Sequence, residues 1–348
     1  MTDYIVFIHG VNTRELQEQP YYAYPLFALI QQEIGEDLPL RMVDLYWGDI
    51  VIPQEMELLG TYQQSPLWQK LCFKDIREKQ LLQFSGDAAL YLSRGTGVNV
   101  VEELRKQLIT GLSDYQPDDR LHLVTHSMGT VILFDMLFSS RWDRENAGGY
   151  TGVEDIRRLL FGLAPQRDQG IPLCSIHTMG SPISIYSLMM TSSHNLPTTH
   201  DITRNLREFL QALHNRLRVP IPWQNFIHPA DPSGYPLAEL LPQMLDESLD
   251  QIFNIEDILT REPDIPDVLW NVLGEYGQLA QLVLTGGEAH RSYWNDPLVA
   301  ARIATEIRTV AQQVAAAKIA TGIQTVGQQA DATALEPVLT CFLLLSLV

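Results

Sequence analysis

Five short apolar runs, separated by stretches in which apolar residues recur every three or four positions, constrain this chain more than any other feature. The runs are Tyr4–Ile8, Leu40–Tyr46, Leu121–Thr125, Cys174–Met179 and Trp223–Ile227. A run that is apolar along its length, with little alternation, suits a strand buried on both faces. Such strands need helices on both sides and crossovers long enough to carry them. The expected fold is therefore α/β, a mostly parallel sheet flanked by helices. Asn99 stands three residues before Glu102, a capping-box arrangement, and Val101, Leu104 and Leu108 follow at helical spacing, which predicts a helix over about 99–112. Asp296 and Pro297 form an N-cap and first-turn pair ahead of Val299, Ile303, Ile307 and Val310, which predicts a last core helix over about 297–316.

Two stretches exceed the connections that such a sheet needs. One is about 49–98, rich in Trp, Tyr, Leu and Gln; the other is about 236–285, with further helix-like apolar spacing. Both are candidates for a helical cap or lid on a single domain spanning 1–316, and peripheral helices filling out the core are the alternative. Residues 317–348 read as a polar linker, Gly322–Glu336, followed by the apolar tail Val338–Val348. The tail has about half of the ~20 residues that span a bilayer as a helix. Docking against the domain or another subunit is expected of it ahead of membrane contact.

The 348 residues carry 24 Lys+Arg against 42 Asp+Glu, a formal net charge of −18. That balance argues against nucleic acid or an anionic membrane surface as the main partner, because phosphate binding draws its affinity from clustered Lys and Arg. Cys72, Cys174 and Cys341 are odd in number and far apart, with no CxxC. Neither a disulfide framework nor a zinc site is indicated, and a reducing compartment is the natural reading. Met1-Thr2-Asp3 leads straight into an apolar run with no basic region or signal-peptide cleavage site, so a cytoplasmic protein is expected.

Chemistry concentrates where Leu121–Thr125 gives way to His126-Ser127-Met128-Gly129-Thr130 and then to a helix with Val131, Ile132, Phe134 and Leu137. This is a strand, sharp turn, helix unit. Such a turn forces the serine into a strained backbone conformation, lifts its hydroxyl above the sheet and turns the next N–H groups toward the same space. Gly129 supplies a small neighbour two positions after Ser127, while Thr125 stands two before, making a T-x-S-x-G variant of G-x-S-x-G.

At these residues the sequence resembles the α/β-hydrolase family, especially its lipase and carboxylesterase-like members, over most of Tyr4 to about Ala316. Tyr4-Ile5-Val6-Phe7-Ile8-His9-Gly10-Val11-Asn12 looks like the family's strand ending in His-Gly, whose following loop gives one oxyanion-hole donor. The resemblance implies that the donors are the backbone N–H groups of Val11 and Met128, and His9 reads as a structural prop for the loop. A serine hydroxyl needs a base, and a neutral histidine held in its productive tautomer by a carboxylate is the suitable one. In this family the chain order is Ser, acid, His. Trp223–Ile227 followed by His228-Pro229-Ala230-Asp231-Pro232 resembles the acid loop, which implies Asp231. Only His290 lies after it, in Gly286-Gly287-Glu288-Ala289-His290, immediately before the last core helix.

Asp264 and Asp267 compete for the acid role but lie in a proline-rich stretch, and His228 reads as a neighbour of the site rather than its base. Gly180-Ser181-Pro182 resembles a lining turn on the active-site side of the sheet. Arg94-Gly95-Thr96-Gly97 lacks the third glycine of a dinucleotide fingerprint and is expected to be a loop ahead of the Asn99 helix. With no HExxH, GxxxxGK[ST] or zinc-ligand cluster, no metal or nucleotide cofactor is expected. The resemblance implies a serine hydrolase acting on a small acyl ester, apolar if the aromatic and aliphatic insertions line its pocket. An acyltransferase on the same residues and a non-catalytic scaffold binding a protein partner are the alternatives.

Overall fold

The computed structural model describes residues 1–11, 13, 21–143, 145, 148–161, 170–185, 211, 213–242, 251–262 and 287–316. All five apolar runs are strands: β1 (Asp3–Ile8), β2 (Leu40–Leu45), β3 (Arg120–His126), β4 (Leu173–Met179) and β5 (Ile221–Ile227). A sixth, β6 (Phe253–Leu259), joins them in one sheet of order β2-β1-β3-β4-β5-β6, with every pairing parallel. Every residue of β1, β3, β4 and β5 is buried, as strands covered on both faces require.

Helices cover both faces. On one, α1 (Tyr24–Ile34) sets Leu26, Ile30 and Ile34, and the helix over 297–316 sets Val299, Ile303 and Ile307, against Ile5, Phe7, Val124, Met179 and Phe226. On the other, Val101, Leu104 and Leu108, then Val131 to Phe138, then Val153, Ile156 and Leu160 pack against Val6, Ile8, Leu121, Leu123 and Ile176. Each such fully buried aliphatic side chain stabilises the fold by about 1.5–3 kcal/mol relative to exposure.

Three expectations are corrected. The stretch 236–285 holds β6, a strand of the sheet itself, so it is not wholly an insertion. Its residues 243–250 and 263–286 lie outside the described residues, as do Asp264, Asp267 and the whole of 317–348. The helix expected from Asn99 begins earlier and runs Arg94–Gly111, because Ser93 is its N-cap and accepts from the Thr96 N–H at 3.3 Å. Arg94–Gly97 is therefore the first turn of that helix and not a loop. Gly97 is required there by contact, since a Cβ on it would lie 2.3 Å from the Tyr91 carbonyl oxygen.

The stretch 49–98 is helical: Ile52–Gln63, then Lys74–Ile76 continued by a π-helical segment Arg77–Leu82, then Gln83–Leu92. Gly86 brings the last of these close to Glu55 of the first. Among the described residues, no helix is long and apolar enough to cross a membrane.

The sheet positions the site. The chain adds β2 on one side of β1 and then β3 on the other, so the connections leave in opposite directions between β1 and β3. In open parallel sheets, ligands bind outside the carboxyl ends of the strands at that switch point. The segments leaving the carboxyl ends of β1 and β3 are His9–Val11 and Ser127–Met128.

Candidate active site

Ser127 follows β3 directly and precedes the helix Met128–Phe138, with φ 54° and ψ −128°. A residue bearing a Cβ adopts this region only under strain, about 1–3 kcal/mol. The turn is held by bonds on both sides: the Ser127 N–H donates to the Met179 carbonyl at 3.0 Å, and its own carbonyl accepts from the Thr130 N–H at 2.9 Å. Gly129 is needed because a Cβ there would lie 2.6 Å from the Ile8 carbonyl oxygen and 2.5 Å from that of His9. The turn is thus pressed onto the end of β1. Thr125, where the motif departs from glycine, fits fully buried in the strand.

The His9–Val11 segment crosses Ser127 at close range. A Cβ on Gly10 would lie 2.4 Å from Ser127 Cβ. His9 is the expected prop: its Nδ1–H donates to the Gly10 carbonyl at 2.7 Å, its Nε2 accepts from the Trp47 N–H at 3.1 Å, and its ring stacks on Trp47 at 5.3 Å. Both bonds agree with a neutral Nδ1–H tautomer. Met128 is the first residue of its helix, where backbone N–H groups have no intrahelical acceptor.

Asp231 and His290 meet directly. Asp231 lies in the turn after β5, and His290 in the helix Gly287–Ser292. His290 Nδ1 is 3.0 Å from both Asp231 carboxylate oxygens and 2.7 Å from Ser233 Oγ. A carboxylate facing Nδ1 places the ring proton there and leaves the Nε2 lone pair available, the tautomer a base needs. Asp231 Oδ1 also accepts from the Ser233 N–H at 2.9 Å and the Ser233 hydroxyl at 2.7 Å, and Oδ2 accepts from the Tyr293 hydroxyl at 2.8 Å. Burial alone would raise the Asp231 pKa. The hydrogen bond and charge of His290, with Ser233, outweigh it and hold the carboxyl at about 2. Burial and the Asp231 charge push the Tyr293 phenol well above its usual range, which keeps it a donor.

Gly180, the turn after β4, closes the floor. Its φ is 54°, its N–H donates to the Phe226 carbonyl at 3.0 Å, and a Cβ on it would lie 2.4 Å from Asp231 Oδ2 and 3.2 Å from His290 Nδ1. Ser181 takes no part in this cluster; its Oγ pairs with Thr130 Oγ1 at 2.9 Å. The His228 N–H donates to the Tyr293 hydroxyl at 2.8 Å, which makes His228 a support of the site.

The structure therefore joins Asp231, just past β5, to His290, and sets Ser127 at the end of β3, two strands along the sheet, close to Gly10. Among the described residues, no hydrogen bond joins Ser127 Oγ to His290; such bonds are often long before substrate binds. His126, the residue preceding the serine, bridges the two. Its Nε2–H donates to the His290 carbonyl at 2.6 Å, and the two rings lie 4.5 Å apart. Ser233, Tyr293 and His126 were not singled out by sequence. Only Ser233 carries a local signal, an Asp-Pro-Ser-Gly turn in which the Asp231 side chain accepts from the N–H two residues on.

Among the described residues, no group of three His, Cys, Asp or Glu side chains is arranged to hold a metal. No family model matches the chain, and no curated protein matches it. A solved structure, the 2.75 Å crystal structure of an uncharacterized protein from Bacillus cereus ATCC 10987, is similar at 12% identity with a TM-score of 0.32. The match covers 79% of this chain and 59% of that one, so the chain spans under two thirds of that protein's length.

Proposed function

We propose that the protein is a serine hydrolase of the α/β-hydrolase type that cleaves carboxylic esters with an apolar acyl group. In this reading Ser127 Oγ attacks the ester carbonyl carbon while His290 Nε2 takes the hydroxyl proton. Asp231 holds the imidazole in its Nδ1–H tautomer and stabilises the imidazolium that forms. The Val11 and Met128 N–H groups receive the oxyanion, worth about 3 kcal/mol per donor. His290 returns the proton to the departing alcohol, leaving an acyl-enzyme on Ser127. Water, deprotonated by the same imidazole, adds to that acyl carbon; the bond to Ser127 Oγ then breaks, His290 returns the proton to Ser127 Oγ, and the acid is released.

The observation that carries the reading is the strained Ser127 turn on the end of β3, alongside the bonded Asp231–His290 pair that follows β5. A fluorophosphonate that reports any activated serine tests it without assuming a substrate. Labelling should map to Ser127 and vanish in Ser127→Ala and His290→Ala. Folded wild-type protein that resists the probe, or Ser127→Ala retaining esterase activity, contradicts it.

A further inference from the structure

We propose that His126 is a positioning residue for this reaction, holding the His290 segment in register with the Ser127 turn through its hydrogen bond to the His290 carbonyl. The inference rests on the serine-hydrolase reading. His126 and His290 are 164 positions apart, and with no direct bond between Ser127 Oγ and the His290 ring, their alignment needs another source.

His126 touches each part that must align. Its Nε2–H donates to the His290 carbonyl at 2.6 Å, and its ring lies 4.5 Å from the His290 ring at a 39° tilt. Its Nδ1 is 3.2 Å from where a Cβ on Gly10 would lie, the same point that is 2.4 Å from Ser127 Cβ. Trp294 packs edge-on at 5.5 Å and Tyr293 at 5.8 Å. A peptide bond joins His126 to Ser127. Asp231, Ser233 and Tyr293 govern the Nδ1 side of the His290 imidazole, whereas His126 governs the main chain from which that imidazole hangs.

Charge makes the residue type specific. His290 becomes an imidazolium during the reaction, and a cation 4.5 Å away would oppose it. Burial, with the neighbouring His290, drives the His126 pKa down to about 3, so His126 donates without carrying charge.

Two variants separate the donor from the ring. His126→Phe keeps a ring and loses the donor; His126→Gln keeps an N–H donor. His126→Phe should slow fluorophosphonate labelling of Ser127 and kcat by about 10- to 100-fold with KM within about twofold, the effect of misplacement by a fraction of an ångström to 1 Å. His126→Gln should recover most of that loss. His126→Phe reacting at the wild-type rate, or losing only KM, overturns the proposal and leaves the hydrolase reading standing; an unreactive folded wild type overturns the reading itself. A second measurement needs no turnover and no variant. Imidazole nitrogen NMR of the wild type should show His126 as a neutral Nε2–H tautomer throughout pH 5–8, and a titrating ring or an Nδ1–H tautomer overturns the proposal whatever the activity.

Discussion

Gly180→Ala is the substitution whose consequence is most fully set by the structure. The new Cβ would lie 2.4 Å from Asp231 Oδ2, which is 1.0 Å short of the 3.4 Å where ordinary contact begins, and 3.0 Å from the Tyr293 ring. Neither side yields easily. Asp231 accepts from Ser233, Tyr293 and His290, while the Gly180 N–H is fixed to Phe226. The left-handed φ of 54° adds about 1–2 kcal/mol once a Cβ is present. Asp231 and His290 should therefore move by up to about 1 Å, an error worth roughly 100-fold in rate. Labelling of Ser127 by a fluorophosphonate should slow by that factor, and the thermal midpoint should fall by a few degrees. Gly287→Ala, at the first described residue of the helix bearing His290, is the control, since among the described residues its Cβ meets nothing within 4 Å; it should change stability by under about 0.5 kcal/mol. Wild-type labelling by Gly180→Ala would refute the claim that this turn and the Asp231–His290 pair share one packed space.

Stability should fall as pH drops below about 6.5. His126 and His177, both driven by burial to about 3, stay neutral in the folded state while the unfolded chain takes up a proton on each. Each depressed histidine then removes about 1.4 kcal/mol per pH unit, so together they should remove about 4 kcal/mol between pH 7 and 5. Asp231, at about 2, and Asp3, also lowered, extend the loss below pH 4. Urea midpoints at pH 7, 6 and 5 measure this, and equal midpoints would refute it. Thr125→Val should stabilise the fold by about 1 kcal/mol, because among the described residues the buried Thr125 hydroxyl has no hydrogen-bond partner, and valine has the same shape. A lower urea midpoint for that variant would show that the hydroxyl is satisfied.

Legibility in the sequence followed burial for the inner strands, although the edge strand β2 (Leu40–Leu45), with Arg41 and Asp44, was also legible. β1, β3, β4 and β5 are buried along their whole length, and each left a run rich in apolar residues even where polar ones such as His122, Ser175, His177, Gln224 and Asn225 are interspersed. β6 lies at the sheet edge, where Asn254, Glu256 and Asp257 interrupt the pattern, and it was absorbed into an apparent insertion. Asp257 is nonetheless structural, accepting from Asn225 at 2.7 Å and from the Leu237 N–H at 2.9 Å. Ser127, Asp231 and His290 could be read because each stands just beyond a strand or just before the last helix. Tyr293 and His126 could not, because they act across 62 and 164 positions through contacts that no spacing encodes.

By hydrogen-bond order alone, a rival set would outrank Ser127. His122 lies 3.0 Å from Asp3 Oδ1 through Nε2 and 2.6 Å from Ser175 Oγ through Nδ1, an acid–histidine–serine chain complete in every link. Its setting removes the chemistry. All three residues are fully buried; Ser127 is buried too, but His290 is partly exposed whereas His122 is not. Ser175 sits inside β4, which is paired on both sides, so the neighbouring strands engage the N–H groups that an oxyanion would require. Its hydroxyl continues to His177 at 2.8 Å, and the chain runs on through Gln224 to Glu306, while Arg120 holds both Asp3 oxygens at 2.6 Å. That network satisfies polar groups between the sheet and its helix, where an unpaired one would cost about 1–3 kcal/mol. Ser127 differs in its strained turn, in the helix N-terminus that follows it, and in its position just past the end of a strand. There the backbone leaves the ladder, and the Met128 N–H at the helix N-terminus has no intrahelical acceptor. The strained turn, the released helix N-terminus and a partly exposed His290, rather than the sequence of hydrogen bonds, favour Ser127 over Ser175.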